Sequence, residues 1–322
     1  MKVPGSIRAI YETRQPIYAH LKERADDAFR ELKKPRWHYE SRVKASESFA
    51  LKIETGRVDD PPNLEDFFAC TLVVENVLAI AEAESLIVRR FPEKIVRRPA
   101  SDAKTSKNAE CFPFDDLRLY PKWSSGASRP DGEIEGLQFE VQIKTFLQHA
   151  WGIATHDLVY KSNEISWAKR RIAYQIKAML EHAEISIAEA QALSSSVLLK
   201  KVDNRTAELQ EISKFLYEKF DSNKLPTDTN RLAGTIADLL KALALTLADL
   251  RKALQQETSA GRGVKIINLS PYGILVQSIG NIFPEKILSF KKSKSKFRLL
   301  IPSELAFEKT EIKDLTERIM LL

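Results

Sequence analysis

The sequence predicts an α+β fold in two domains: a mixed β-sheet packed with helices over residues 1–199, and helices followed by a small α/β module over residues 200–322. Three observations lead there. Long stretches repeat apolar residues at helical spacing, and short continuously apolar or alternating runs between them carry the pattern of strands. The length of 322 residues also exceeds the roughly 100 to 200 of a single ordinary domain.

From Pro4 to Leu32 the residues Ile7, Ile10, Tyr11, Ile17, Leu21, Ala25, Phe29 and Leu32 mostly recur at helical spacing, which predicts an N-terminal helical region. The run Lys33-Lys34-Pro35-Arg36-Trp37 breaks it, because proline cannot continue the backbone ladder. A second amphipathic segment is read over Tyr39 to Glu54. After the Asp59-Asp60-Pro61-Pro62 break, Phe67 to Val74 reads as a buried strand and Ala79 to Phe91 as a helix. Asp115 to Tyr120 and Leu137 to Lys144 read as further strands, joined by the Ser/Gly/Pro-rich connection Ser124 to Gly136. Helices resume at Phe146 to Tyr160 and from Trp167 to about Leu199, where the first domain closes.

Beyond Lys200, helices are expected at Arg205 to Lys219 and Arg231 to Gln256, the second capped by Thr227 or Asp228. Val264 to Asn268 reads as a strand and Ser270-Pro271 as a helix start. Phe290 and Phe297 to Pro302 read as strands around a Lys/Ser-rich turn.

Hydrophobic residues at 43% and charged residues at 29% describe a soluble globular chain rather than a fibrous or disordered one. No uncharged apolar run of about 18 residues is present, and Met1 to Tyr11 lacks the apolar core of a signal peptide, so a cytoplasmic protein without membrane association is expected. Cys70 and Cys111 have no CxxC partner, which speaks against a zinc or disulfide framework and for buried thiols. A net charge of +6 is compatible with a polyanionic partner but too small to establish one.

Two segments carry candidate chemistry. If Tyr39 to Glu54 is helical, Lys44, Ser48 and Lys52 lie four apart on one face, with Arg42 extending it; such a set suits a polyphosphate or, more plainly, a solvated basic face. The strand Leu137 to Lys144 sets Phe139, Val141 and Ile143 on one side and Glu140, Gln142 and Lys144 on the other. In the helix that follows, His149 and His156 are seven residues apart. With no third ligand at suitable spacing, His156 is read as a hydrogen-bonding residue that orders the strand row beneath it.

Phe139-Glu140-Val141-Gln142-Ile143-Lys144-Thr145, followed by Trp151 and by His156-Asp157-Leu158-Val159-Tyr160-Lys161, resembles the E-V-Q-I-R-T, W, E-H-x-x-Y-K signature of RelA/SpoT alarmone synthetases. Arg42, Lys44, Ser48 and Lys52 match that family's upstream R-x-K, S, K cluster in order, so the resemblance spans about residues 38 to 161. It implies a nucleotidyltransferase-like core that transfers pyrophosphate from ATP to a ribose 3′-hydroxyl. It implies Mg²⁺ on Asp66 and Glu140, which would also be the catalytic pair, and ATP phosphates on Arg42, Lys44, Ser48, Lys52 and Lys144. Gln142 and His156 would be supporting residues. The acceptor implied is a guanosine or adenosine nucleotide or a tRNA 3′ end, in stringent-response, growth-control or toxin-type regulation; an oligomer is allowed.

The chain departs from the family in two places. Asp66-Phe67-Phe68-Ala69-Cys70-Thr71 stands where D-x-x-G-x-R is usual, and Pro113-Phe114-Asp115-Asp116-Leu117-Arg118 where G-Y-x-S-x-H is usual. The acceptor is therefore expected to be read by Phe114, Asp116 and Arg118. On a strand, Asp116, Arg118 and Tyr120 would share a face while Leu117 and Leu119 enter the core. Arg89-Arg90, Arg97-Arg98, Lys169-Arg170-Arg171 and Lys291 to Lys296 are candidate tRNA backbone contacts. The competing reading is a nucleotide-binding or sensor module that has lost turnover, and residues 200–322 are read as regulatory.

Overall fold

A computed structural model describes all residues except 1, 57, 94, 101–116, 126–130, 160–165, 267, 291–296, 309–318 and 322; at 156–159 and 319–321 only the backbone is described. The chain divides into two compact units, Met1–Leu199 and Lys200–Leu322.

The first unit is α+β. Helix α1 (Gly5–Leu32) buries Tyr18, Leu21, Ala25 and Phe29, the face that its apolar spacing marks out. Strands β1 (His38–Val43), β2 (Phe68–Val74), β3 (Val96–Arg98), β4 (Leu117–Tyr120) and β5 (Glu140–Thr145) form one sheet in the order β1-β2-β5-β4-β3. Only β2 and β5 run parallel; every other neighbouring pair is antiparallel, so the sheet is mixed. Helices α2 (Ser46–Glu54), α3 (Ile80–Arg90), α4 (Phe146–Val159), α5 (Trp167–Ala188) and α6 (Ala190–Ser194) complete the unit.

One sheet face is apolar. Phe68, Cys70, Leu72 and Val74 of β2 join Val141 and Ile143 of β5 and Leu117 and Leu119 of β4 in a core shared with α1 and with Ala83 and Ile87 of α3. Each large side chain buried this way is worth about 1.5 to 3 kcal/mol. The period of two then puts the intervening residues on the opposite face. Register aligns them as rows: Arg42, Ala69, Glu140; Glu40, Thr71, Gln142, Arg118; and His38, Val73, Lys144.

Tyr39 to Glu54 is not one helix. His38 to Val43 is strand β1, with exposure alternating residue by residue, and the extended pairing continues to Lys44, whose N–H donates to the Phe67 carbonyl at 2.8 Å. The cause lies outside the segment: Asp26 of α1 is buried and accepts from the Tyr39 and Ser41 hydroxyls at 2.9 and 2.6 Å, which requires both on one face of a strand. Consequently Lys44 sits in the link between β1 and α2, while Ser48 and Lys52 are on α2.

The second unit comprises α7 (Asn204–Lys219), α8 (Thr229–Ala242), α9 (Leu247–Ser259), α10 (Pro271–Ile282), α11 (Pro284–Phe290) and a parallel pair, β6 (Leu299–Ile301) with β7 (Ile319–Leu321). Asp228 caps α8 by accepting from the Arg231 N–H. The expected single helix Arg231 to Gln256 is two, because Ala244 takes a positive φ of 50° and Thr246 with Asp249 forms a capping box that starts α9. Among the described residues of Val264 to Asn268 there is no strand: Gly263–Lys265 is a short 3₁₀ turn. Phe290 ends α11 instead of forming a strand.

Candidate functional site

The polar sheet face holds Glu140, 6% exposed. Its Oε2 accepts from the Tyr120 hydroxyl at 2.9 Å and its Oε1 from the Gln142 side-chain amide. Both donors are neutral, and no Lys or Arg pairs with this carboxylate among the described residues. A buried carboxylate held this way keeps acceptor capacity for a cation or a proton. Tyr120 in turn is held above the ordinary phenol range, by burial first and by Glu140 second.

Asp66 precedes β2 by two residues and lies three before Ala69, the register partner of Glu140. Lys44 Nζ is 2.9 Å from its Oδ2 and Lys52 Nζ 3.0 Å from its Oδ1. Both contacts are ion pairs without hydrogen-bond alignment, and Oδ1 is a buried oxygen with an electrostatic neighbour and no hydrogen bond. Burial works against ionisation of Asp66, but the two lysines outweigh it and hold the carboxyl below its usual range. The Lys44 backbone is fixed from behind: the Tyr11 hydroxyl of α1 donates to the Lys44 carbonyl at 3.0 Å, and Tyr11 stacks on Phe67.

The structure thus gathers the expected residues into two groups: Asp66 with Lys44 and Lys52, and Glu140 with Gln142, next to Arg118 in the neighbouring strand. Arg118 is exposed opposite Gln142. Arg42 lies exposed on β1 and Lys144 half-buried on β5, both on the polar face; Ser48 is exposed on α2. Phe114 and Asp116 lie outside the described residues, as does the side chain of His156. Cys70 is a buried thiol, pushed well above its usual range by burial; Cys111 is outside the described residues.

Tyr120 is the site residue that the motif comparison leaves out, although its spacing from Arg118 already puts it on this face. Several candidate tRNA contacts are engaged in the fold itself. Arg97 pairs with Glu84 at 2.7 Å and Arg98 with Glu65 at 2.9 Å, Arg98 also lying over the Tyr120 ring, and Arg90 stacks on Phe91 and Trp123. Lys291 to Lys296 lie outside the described residues.

Asp66 and Glu140 offer oxygen donors only, which suits a hard cation such as Mg²⁺; at Asp66 Oδ1, which accepts no hydrogen bond, such an ion would take the place of the Lys52 ammonium 3.0 Å away. No helix among the described residues is long and apolar enough to cross a membrane.

No protein-family model and no curated protein sequence matches the chain. Among solved structures it is similar to the small alarmone synthetase 2 from Bacillus subtilis, with 15% identity and a TM-score of 0.45 over 56% of this chain and 98% of that one. It is similar also to the small alarmone synthetase 1 from Bacillus subtilis bound to its product pppGpp, at 14% identity and TM-score 0.39 over 58% and 95% of the two chains. A third similar structure is the complex between the Type VI effector Tas1 and its immunity protein, at 14% identity and TM-score 0.34 over 59% and 100%.

Proposed function

We propose that the first unit is a Mg²⁺-dependent pyrophosphokinase that moves the β,γ-pyrophosphoryl group of ATP to a ribose 3′-hydroxyl. The observation that supports it most is Glu140: a buried carboxylate held by two neutral donors, on the strand that carries the synthetase-like motif. In this reading the acceptor 3′-oxygen forms a bond to the β-phosphorus as the bond to the bridging α,β-oxygen breaks, AMP departs with that oxygen, and Glu140 takes the hydroxyl proton. Tyr120 and Gln142 orient Glu140 for that step. Asp66 and Glu140 would hold Mg²⁺, which supplies charge neutralisation at the phosphates. Arg42, Lys44, Ser48, Lys52 and Lys144 bind the phosphates. Arg118, with Phe114 and Asp116, reads the acceptor, a guanosine or adenosine nucleotide or a tRNA 3′ end. Residues 200–322 act as a regulatory module in growth control or toxicity.

One observation favours a second reading, a nucleotide-binding module without turnover: two of the three lysines meant for phosphate, Lys44 and Lys52, lie against Asp66. Incubating the full chain with γ-labelled ATP and Mg²⁺, and separately GDP, GTP, ATP or bulk tRNA, decides between them. Label on any acceptor supports the enzyme; ATP binding without transfer to any of them overturns it in favour of the module.

A further inference from the structure

Away from Asp66 and Glu140, three side chains meet over the outer edge of the sheet. His38 and Glu40 stand at i and i+2 of the edge strand β1 and so point to one face. His149 comes over them from the first turn of α4. Its Nδ1 is 3.9 Å from Glu40 Oε1, and the His38 and His149 ring centroids are 5.7 Å apart. One ligand atom from each residue lies within 4.8 Å of the other two, and no other His, Cys, Asp and Glu side chains among the described residues gather in this way.

The geometry points to a site for one divalent transition-metal ion, zinc by its donor chemistry, held by His38, Glu40 and His149. Two imidazoles and a carboxylate form a donor set of intermediate softness that suits zinc and its neighbours and not Mg²⁺. Zinc bonds of about 2.0 to 2.1 Å at tetrahedral angles put donor atoms about 3.3 to 3.4 Å apart, so the separations close by at most about 1.5 Å. His38 and Glu40 are exposed and have room to rotate that far, whereas the His149 side chain is only 13% exposed. The fourth position is left to water. Lys144, on the same face and in the row of His38, is the cation that a bound ion must tolerate. Such an ion would fasten the edge strand to α4. Glu40 is two strands from Gln142, about 10 Å across the sheet, so the site is separate from the Mg²⁺ pair and does not rest on the pyrophosphokinase reading.

The test is a Zn²⁺ titration of the chelator-treated full chain against a chromophoric competitor, in excess Mg²⁺. One Zn²⁺ per chain is expected, with affinity lowered at least about tenfold, the lower end of what even outer-shell changes cost, in His38→Ala, Glu40→Gln and His149→Ala. His182→Ala, an exposed histidine on α5, controls for stray imidazole binding and should match the wild type. Should His149→Ala fail to fold, the two exposed β1 variants decide. No Zn²⁺ uptake, uptake displaced by Mg²⁺, or equal affinity in the His38 and Glu40 variants overturns the site.

Discussion

Replacing Asp66 with Asn removes one negative charge, at constant volume, from between two lysines. The Lys44 side chain is 13% exposed and its 2.9 Å ion pair with Asp66 is largely shielded from solvent, which puts its loss at about 1.5 to 3 kcal/mol, between the ranges for exposed and fully buried pairs. Lys52 is 44% exposed, and solvent screens its 3.0 Å contact to about 0 to 1 kcal/mol. Asn still offers a carbonyl to one lysine, so the first figure bounds the loss: Asp66→Asn should destabilise the first unit by about 1.5 to 3 kcal/mol, or roughly 3 to 12 °C in Tm for a unit of this size. All four tryptophans, Trp37, Trp123, Trp151 and Trp167, lie in residues 1–199, so tryptophan fluorescence follows that unit.

The pH dependence gives an independent check. The folded carboxyl of Asp66 is held below its unfolded value of about 4. Its contribution is therefore complete above that value and lost as pH falls through the lower folded one, so the gap between wild type and Asp66→Asn should close on acidification below about pH 4. A variant as stable as the wild type at neutral pH, or a gap that widens in acid, refutes the assignment of this cluster as a net stabilising one.

Glu140→Gln keeps the Tyr120 hydrogen bond but removes the base, so pyrophosphate transfer measured with labelled ATP should fall at least about 100-fold with Tm unchanged; undiminished transfer removes Glu140 from the reaction. Lys52→Ala should weaken ATP binding by about 1.5 to 3 kcal/mol in calorimetry while costing less than about 1 kcal/mol of stability. An unchanged ATP affinity returns Lys52 to a purely structural partner of Asp66. In the second unit, Gly263 has φ 72° and an added Cβ would meet Thr258 Oγ1 at 2.5 Å. Gly263→Ala should therefore cost about 1 to 3 kcal/mol by calorimetry, and a neutral effect would mean that the turn relaxes freely.

What the sequence made legible was local. The alternation of Val141 and Ile143 with Glu140, Gln142 and Lys144 fixes a strand and its wet face without any partner in view, and the α1 stripe fixes a helix. Tyr39 to Glu54 failed because Lys44, Ser48 and Lys52 fit a helix as well as Tyr39, Ser41 and Val43 fit a strand. The deciding hydrogen bonds go to Asp26, far off in sequence. Arg231 to Gln256 failed for a different reason: its apolar spacing runs nearly unbroken, and only the short Ala244 turn and the Thr246 cap interrupt it. His149 lacked a third ligand along the chain because its neighbours, His38 and Glu40, reach it by sheet pairing rather than by spacing.

The same register clarifies what the missing arginine does to the proposed nucleotide site. Thr71, at the position where the synthetase resemblance expects Arg, stands between Glu40 and Gln142 in the central row. Nothing cationic replaces it on β2, and the next cation along that row is Arg118, two strands away or about 10 Å. Positive charge on this face is divided, with Arg42, Lys44 and Lys52 on one side, Arg118 on the other, and Lys144 on the central strand β5 one row away. In the proposed reading a triphosphate over this face would meet these separate cations, and Lys44 and Lys52 could serve it only by loosening their hold on Asp66. That makes the stability of the Asp66 cluster and the affinity for ATP opposing quantities, since a contact made to the carboxylate is withheld from the phosphate.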